Sequence, residues 1–272
     1  MRINTNVNSM RTQEYMRQNQ DKMNTAMNRL SSGKRINSAS DDAAGLAIAT
    51  RMRARESGLA KASQNTQEGM SLIRTAEAAM GSVSNILTRM RDLAVQSSTG
   101  TNSGKNHIAL DKEFTALKEQ IDYIAKNTDF NDKKLLDGVI TQVKIETIDG
   151  TTTDQQITIN LTDTSTTGLS IDGAAISTAT DALAAISSID AALETLASNR
   201  ADLGATLNRL DHNVTNLNNQ ATNMAAAASQ IEDADMAKEM SEMTKYKILN
   251  EAGVSMLSQA NQSPQMVSKL LQ

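Results

Sequence analysis

Cysteine and tryptophan are absent from the 272 residues, proline occurs once, at Pro264, and the only aromatic side chains are Tyr15, Phe114, Tyr123, Phe130 and Tyr246. Without thiols there is no disulfide and no thiolate metal or redox site. That suits the cytosol, and it equally suits a chain threaded unfolded out of the cell. With so few large rings a thick globular core is hard to build, whereas a narrow helical seam of Leu, Ile, Met and Ala needs nothing thicker. The glycines form no GxGxxG or GxxxxGK pattern. His107 and His212 stand apart from each other and from any glutamate at metalloprotease spacing, and both are expected to face solvent. Ser and Asp are plentiful but show no nucleophile elbow. The sequence therefore predicts no enzyme, no cofactor and no metal site. No apolar run follows Arg2, so no cleaved secretory signal is expected. No stretch approaches the roughly 18 apolar residues of a membrane span, so no membrane insertion is expected.

What is present is charge asymmetry and helical periodicity. The formal net charge is −4. Residues 1–60 hold ten Lys or Arg against five acids, and residues 137–200 hold nine acids against two basic residues. The basic end is spread among Asn and Gln without interleaved aromatics, so solvated helix faces and contacts to like subunits fit better than nucleic acid.

Alternating steps of four and three residues from Ala182 land on Ile186, Ile189, Leu193, Leu196, Arg200, Leu203, Leu207, Leu210, Val214, Leu217, Ala221, Met224, Ala228 and Ile231, a heptad seam broken only by Arg200. At 1.5 Å per residue such a helix is about 75 Å long, which predicts a rod. The same count from Ile48 gives Met52, Arg55, Leu59, Ala62, Thr66, Gly69, Ile73, Ala76, Met80, Val83, Leu87, Met90 and Ala94. The two seams are expected to lie side by side, with Thr66 and Gly69 allowing close backbone approach.

Both ends of the chain carry weaker stripes. Ile3, Val7, Met10, Met16, Met23, Met27 and Leu30 mark an N-terminal helix whose heptad breaks between Met10 and Met16. Met236, Met240, Met243, Leu249, Val254, Leu257, Met266, Val267 and Leu270 mark a C-terminal one. Too weak to stand alone in water, both are expected to order only against a partner. Between the N-terminal helix and the first seam, Gly33 is placed to end a helix, Ser38 or Ser40 to cap the next, and Asp41 and Asp42 to meet its positive end. QIEDADMA, residues 230–237, forms a second joint outside the seam. A shorter helix follows the polar run 97–104, with Leu110, Phe114, Leu117, Ile121 and Ile124 in register. Val143, Ile145 and Ile148, then Asp149-Gly150, then Ile157, Ile159 and Leu161 read as a β-hairpin, with a further short strand at Leu169 to Ile171. The fold class is mainly α: a long antiparallel helical coiled-coil bundle, rod-like, with a small β-hairpin region at about 139–178.

RLSSGKRINSASDDAAGLAI (29–48), LAVQS from Leu93, FNDKKLLDG (130–138), QIEDADMAKEM (230–240) and QANQSPQMVSKLLQ (259–272) closely resemble bacterial flagellin. The resemblance covers about 1–140 and 180–272, and the short middle implies that large outer domains are missing. It implies an inner terminal domain of 1–33 with 238–272, spoke linkers at 34–45 and 231–237, and a helical domain of 46–230. It further implies an extracellular subunit of the flagellar filament, exported by the flagellar type III route without a cleaved signal. The implied partners are further copies of itself, hook-filament junction and filament cap proteins, and an export chaperone. Polymerisation is expected to use Ile3, Val7, Met10, Met23, Met27, Leu30, Met240, Met243, Leu249, Val254, Leu257, Val267 and Leu270. Flagellins are also recognised by an innate immune Toll-like receptor. The resemblance carries its main contact onto Arg89, Leu93 and Glu113, which on sequence alone are two ordinary exposed charges and a flank of the seam. The competing readings are a hook-filament junction protein, which shares the terminal helices, and an intracellular coiled-coil scaffold.

Overall fold

A computed structural model describes residues 6–148 and 155–270, the side chains of 263–270 excepted. Ile3, the Asp149-Gly150 turn and the side chains of Val267 and Leu270 lie outside the described residues. In chain order the elements are α1 (Val7–Ser32), α2 (Ala43–Ser98), α3 (Gly104–Asn127), β1 (Asp129–Phe130), β2 (Lys133–Lys134), β3 (Gln142–Glu146), β4 (Gln156–Asn160), α4 (Ala179–Glu232) and α5 (Met236–Leu270). The chain divides into two compact units, residues 56–221 and residues 1–55 with 222–272. Among the described residues no helix is long and apolar enough to cross a membrane.

The 56–221 unit is built on the two predicted seams. Ser63 donates to Asn218 Oδ1 at 3.2 Å, Arg200 reaches Glu77 at 3.5 Å and Arg91 reaches Asp190 at 2.7 Å. As the position on α2 rises, its partner on α4 falls, so the two helices run antiparallel. On α4, Ala182, Ile189, Leu196, Leu203, Leu210 and Leu217 recur every seven residues and all are buried, while Ile186, Leu193, Leu207 and Val214 pack around the same core half-covered. Arg200 sits at the one polar seam position and turns its charge to Glu77. On α2 the core side chains include Ile73, Ala76, Met80, Val83, Leu87, Met90, Leu93 and Ala94, and α3 adds Phe114, Ile121 and Ala125.

The hairpin pairs Val143 with Ile159 and Ile145 with Ile157. Its apolar face meets α2 at Gly69, where an added Cβ would stand 3.0 Å from Ile145 Cγ1. The close approach that Gly69 permits is to the hairpin. A second hairpin, β1 with β2, escaped the sequence reading. Its turn residues Asn131 and Asp132 have φ of 49° and 62°, the left-handed pair that a two-residue primed turn demands and that Asn and Asp tolerate. The strand expected at Leu169 to Ile171 is instead a turn, closed by Leu169 N–H to Ser165 O and Ile171 N–H to Thr166 O, each 2.9 Å, with Ser170 left-handed. Leu169 and Ile171 still enter the core.

One face of α3 holds this segment. Asp111 accepts from the Ile176 amide at 3.1 Å, Lys118 donates to the carbonyls of Asp172 and Ala174, and Asp122 accepts from the Thr166 amide and hydroxyl at 2.9 and 2.8 Å. Ser97, fully buried, donates to Ile176 O at 2.7 Å and so accepts from His107 Nδ1, also at 2.7 Å. His107 is thus tied to the structure and does not simply face solvent, while His212 is exposed as expected. Thr178 caps α4, accepting from the Asp181 amide at 3.1 Å while its hydroxyl reaches the Asp181 carboxylate at 2.6 Å.

Candidate assembly interface on the terminal helices

In the unit formed by 1–55 and 222–272, α1 and α5 run antiparallel. Asn6 Nδ2 donates to Ala260 O at 2.8 Å, Asn250 Nδ2 donates to Gln20 Oε1 at 2.6 Å, and Arg29 reaches Glu239 at 3.4 Å. The inward residues of α1 are Ser9, Thr12, Met16, Asn19, Met23, Ala26 and Leu30, and those of α5 are Glu239, Met243, Tyr246, Asn250, Gly253, Leu257 and Ala260. Both sets follow steps of three and four, so each helix does carry a heptad. Polar residues and a glycine occupy much of it, which is why counting apolar positions alone finds a break. Gly253 is required by the packing, since a Cβ there would meet Met16 Cγ at 2.7 Å. Lys22 lies 5.6 Å from the centre of the Tyr246 ring and extends the contact.

This narrow seam leaves large apolar side chains outside. Val7, Met10, Tyr15 and Met27 on α1 and Met236, Met240, Ile248, Leu249, Val254 and Met256 on α5 are exposed. The residues assigned to polymerisation from sequence therefore fall into two groups. Met23, Leu30, Met243 and Leu257 are half-covered on the seam, and Val7, Met10, Met27, Met240, Leu249 and Val254 face outward. Tyr15, Ile248 and Met256 belong with the outward group and were missed. They stand off the main stripes, and only the position of the seam reveals them.

The joints beside these helices are tightly specified. Gly33, at φ 71°, ends α1 with its amide on Arg29 O at 2.8 Å. Asp42, and not Ser38 or Ser40, caps α2, accepting from the Gly45 amide at 2.9 Å. Asp41 instead closes the preceding turn, and hydrogen bonds from the Ser38 amide, the Asn37 amide and the Ser38 hydroxyl hold its carboxyl below the usual range. Gly33 O accepts from the Ala234 amide at 3.0 Å, and Glu232 O accepts from the Arg35 amide at 2.6 Å. The buried Glu232 carboxylate lies 3.1 Å from Lys34 Nζ and 3.6 Å from Arg53 Nε. Asp235 caps α5 through the amides of Ala237 and Lys238 at 3.0 and 3.2 Å.

Of the residues matched to receptor recognition, Arg89 and Glu113 are ion-paired, Nη2 to Oε1 at 2.7 Å and Nε to Oε1 at 3.0 Å, and half-exposed. Leu93 is only 1% exposed and belongs to the core.

The geometry defines a class: a helical protein whose end helices pair over a polar seam and offer apolar faces outward. The chain matches the bacterial flagellin N-terminal helical region over residues 3–141 and the bacterial flagellin C-terminal helical region over 186–271. It is 46% identical to the flagellin of Listeria monocytogenes over all of this chain and 99% of that one. It is 46% identical to the flagellin of Halalkalibacterium halodurans and 40% identical to that of Bacillus subtilis, in both cases over the whole of each chain. The crystal structure of Bacillus cereus flagellin superposes with a TM-score of 0.51 at 41% identity, covering 61% of this chain and 94% of that one. A putative flagellar hook-associated protein from Vibrio parahaemolyticus shares the fold alone, with a TM-score of 0.61 at 16% identity over 71% of this chain and 100% of its own. The chain belongs to the bacterial flagellin family. It is a non-enzymatic structural subunit of the flagellar filament, which assembles from copies of itself outside the cell.

Proposed function

We propose that assembly runs through the terminal helices, with 1–33 and 238–272 acting as the inner domain, 34–45 and 231–237 as its linkers and 46–230 as the outer helical domain. Val7, Met10, Met27, Met240, Leu249 and Val254 meet neighbouring copies, and Met23, Leu30, Met243 and Leu257 hold the pair that presents them. Ile3, Val267 and Leu270 are assigned the same role on the sequence pattern. The supporting observation is that, among the described residues, α1 and α5 expose ten large apolar side chains after pairing. A patch of that kind is normally covered in a functional state. A contact joining one surface to a different surface on the next copy, by a rotation that does not close, gives an open helical fibre. Removing residues 1–30 is expected to leave a folded, soluble monomer that forms no filaments by electron microscopy. Filaments from that truncation would defeat the proposal.

The finer partnerships follow the family resemblance. The chain leaves by the flagellar type III route with its N-terminus intact, escorted by an export chaperone, and joins between hook-filament junction and cap proteins. Secreted protein whose intact mass shows N-terminal cleavage beyond Met1 would contradict that route. For the Toll-like receptor for flagellin, the surface offered is the Arg89–Glu113 pair, with Leu93 supporting it from below. A host-cell reporter unresponsive to purified monomer, or unchanged by Arg89→Ala, would remove this reading.

A further inference from the structure

The methionines divide by exposure. Met10, Met27, Met236, Met240 and Met256, all on α1 or α5, are 61%, 53%, 48%, 51% and 64% exposed, whereas Met80 and Met90 in the 56–221 core are 0% exposed and Met70 is 8% exposed. Met16, Met23 and Met243 are half-covered on the α1–α5 seam. With no cysteine in the chain, thioethers are the only sulfur an oxidant meets.

We propose that the five methionines exposed among the described residues are an oxidant-sensitive modification site that controls assembly, an inference resting on the role given above to the terminal helices. A thioether lone pair attacks one oxygen of hydrogen peroxide. An S–O bond forms as the O–O bond breaks, sulfur loses two electrons, and the peroxide is reduced to water with its own protons. The product sulfoxide is polar and chiral where the side chain had been flexible and apolar. On a solvated monomer helix this change is cheap. On a face that must be stripped of water against a neighbouring copy, each sulfoxide leaves an unsatisfied dipole and weakens association by about tenfold. Spread over both helices, the five sites grade the loss with oxidant dose. Sulfoxide reductases reverse the change, so an oxidised pool of free subunits is held back and not destroyed. In the filament the same thioethers are covered and escape oxidation.

The test treats full-length monomer with hydrogen peroxide, maps sulfoxides by peptide mass spectrometry and measures seeded polymerisation. The expected result is sulfoxide at Met10, Met27, Met236, Met240 and Met256 well before Met80 and Met90, unchanged helicity, lost assembly, and recovery after methionine sulfoxide reductase. In a chain with all five replaced by Leu, the assembly rate, whatever its value without oxidant, is expected not to change on peroxide treatment, and a loss as large as that of the unsubstituted chain overturns the inference. Equal oxidation of exposed and core methionines, or normal assembly by protein oxidised at all five sites, overturns the inference. The two proposals fail separately: filaments from the unoxidised 31–272 chain would sink the assembly reading, whereas truncation that blocks assembly while oxidation does not would sink only this one.

Discussion

The two units of this chain are written in the same helical vocabulary and put it to opposite use. In the 56–221 unit most large apolar residues point inward, with Phe114, Ile73, Leu87, Met80 and Ile121 fully buried, and Val95, Ile108, Tyr123, Val139 and Leu183 are the exposed ones among the described residues. In the terminal unit, among the described residues, the buried apolar side chains are Ala26, Ile36, Ala49 and Ala228, while the larger side chains of α1 and α5 are half-covered, as at Met23 and Leu257, or exposed, as at Met10 and Met256. Burying a Leu, Met or Phe stabilises by about 1.5–3 kcal/mol and burying an Ala by much less. Helix formation alone thus does not tell which unit holds itself together. What separates them is where the large side chains go, and among the described residues the terminal unit leaves most of its large apolar side chains uncovered.

The strongest challenge to this contrast is a matched pair of truncations. Phe114→Ala is expected to cost about 3–5 kcal/mol in the unfolding of the 56–221 unit, and Met27→Ala to stay within about 0.5 kcal/mol for the monomer. Thermal unfolding of both variants reads the difference, and equal costs would erase it. Gly45→Ala probes the rigidity of the joint, since its Cβ would lie 2.5 Å from Asp42 Oδ2 and 2.8 Å from Ile36 Cδ1. A loss of about 1–3 kcal/mol is expected, confined by hydrogen exchange to the terminal unit. At the exposed Arg89–Glu113 pair, Arg89→Ala should shift monomer stability by no more than about 0.5 kcal/mol, so any larger loss of receptor signalling reflects contact and not unfolding. The smallest effect concerns acidity. Because the folded Asp41 carboxyl is held below its usual range by the Ser38 and Asn37 amides, its contribution is present above the ordinary carboxylate pKa. It is lost as pH falls through the lowered value. NMR titration of the carboxyl should show the low midpoint, and Asp41→Asn should flatten the acid response of the 37–41 turn.

The long seams were legible because both follow a sustained arithmetic, and α3 and the main hairpin were legible for the same reason. The α1–α5 seam was not, because Ser9, Thr12, Asn19 and Asn250 occupy heptad positions and leave no apolar period to read. Met10 and Met27, which look like seam, face the other way. The cap falls on Asp42 and not on Ser38 or Ser40 because four polar residues, Ser38, Ser40, Asp41 and Asp42, stand close together, and the sequence does not show that α2 begins only at Ala43, where Asp42 accepts from the Gly45 amide. The Asn131-Asp132 turn carried a readable signal, two residues tolerant of left-handed backbone between Phe130 and Lys133. The Leu169 to Ile171 turn carried none, because Asp111, Lys118 and Asp122 fix it from a distant helix.

Amide hydrogen exchange compared between monomer and filament tests the central contrast most directly. The account predicts fast exchange along 7–32 and 236–262 in the monomer, strong protection of the same segments in the filament, and protection of the 56–221 core helices in both. Terminal helices as protected in the isolated monomer as α2 around Leu87 would contradict it.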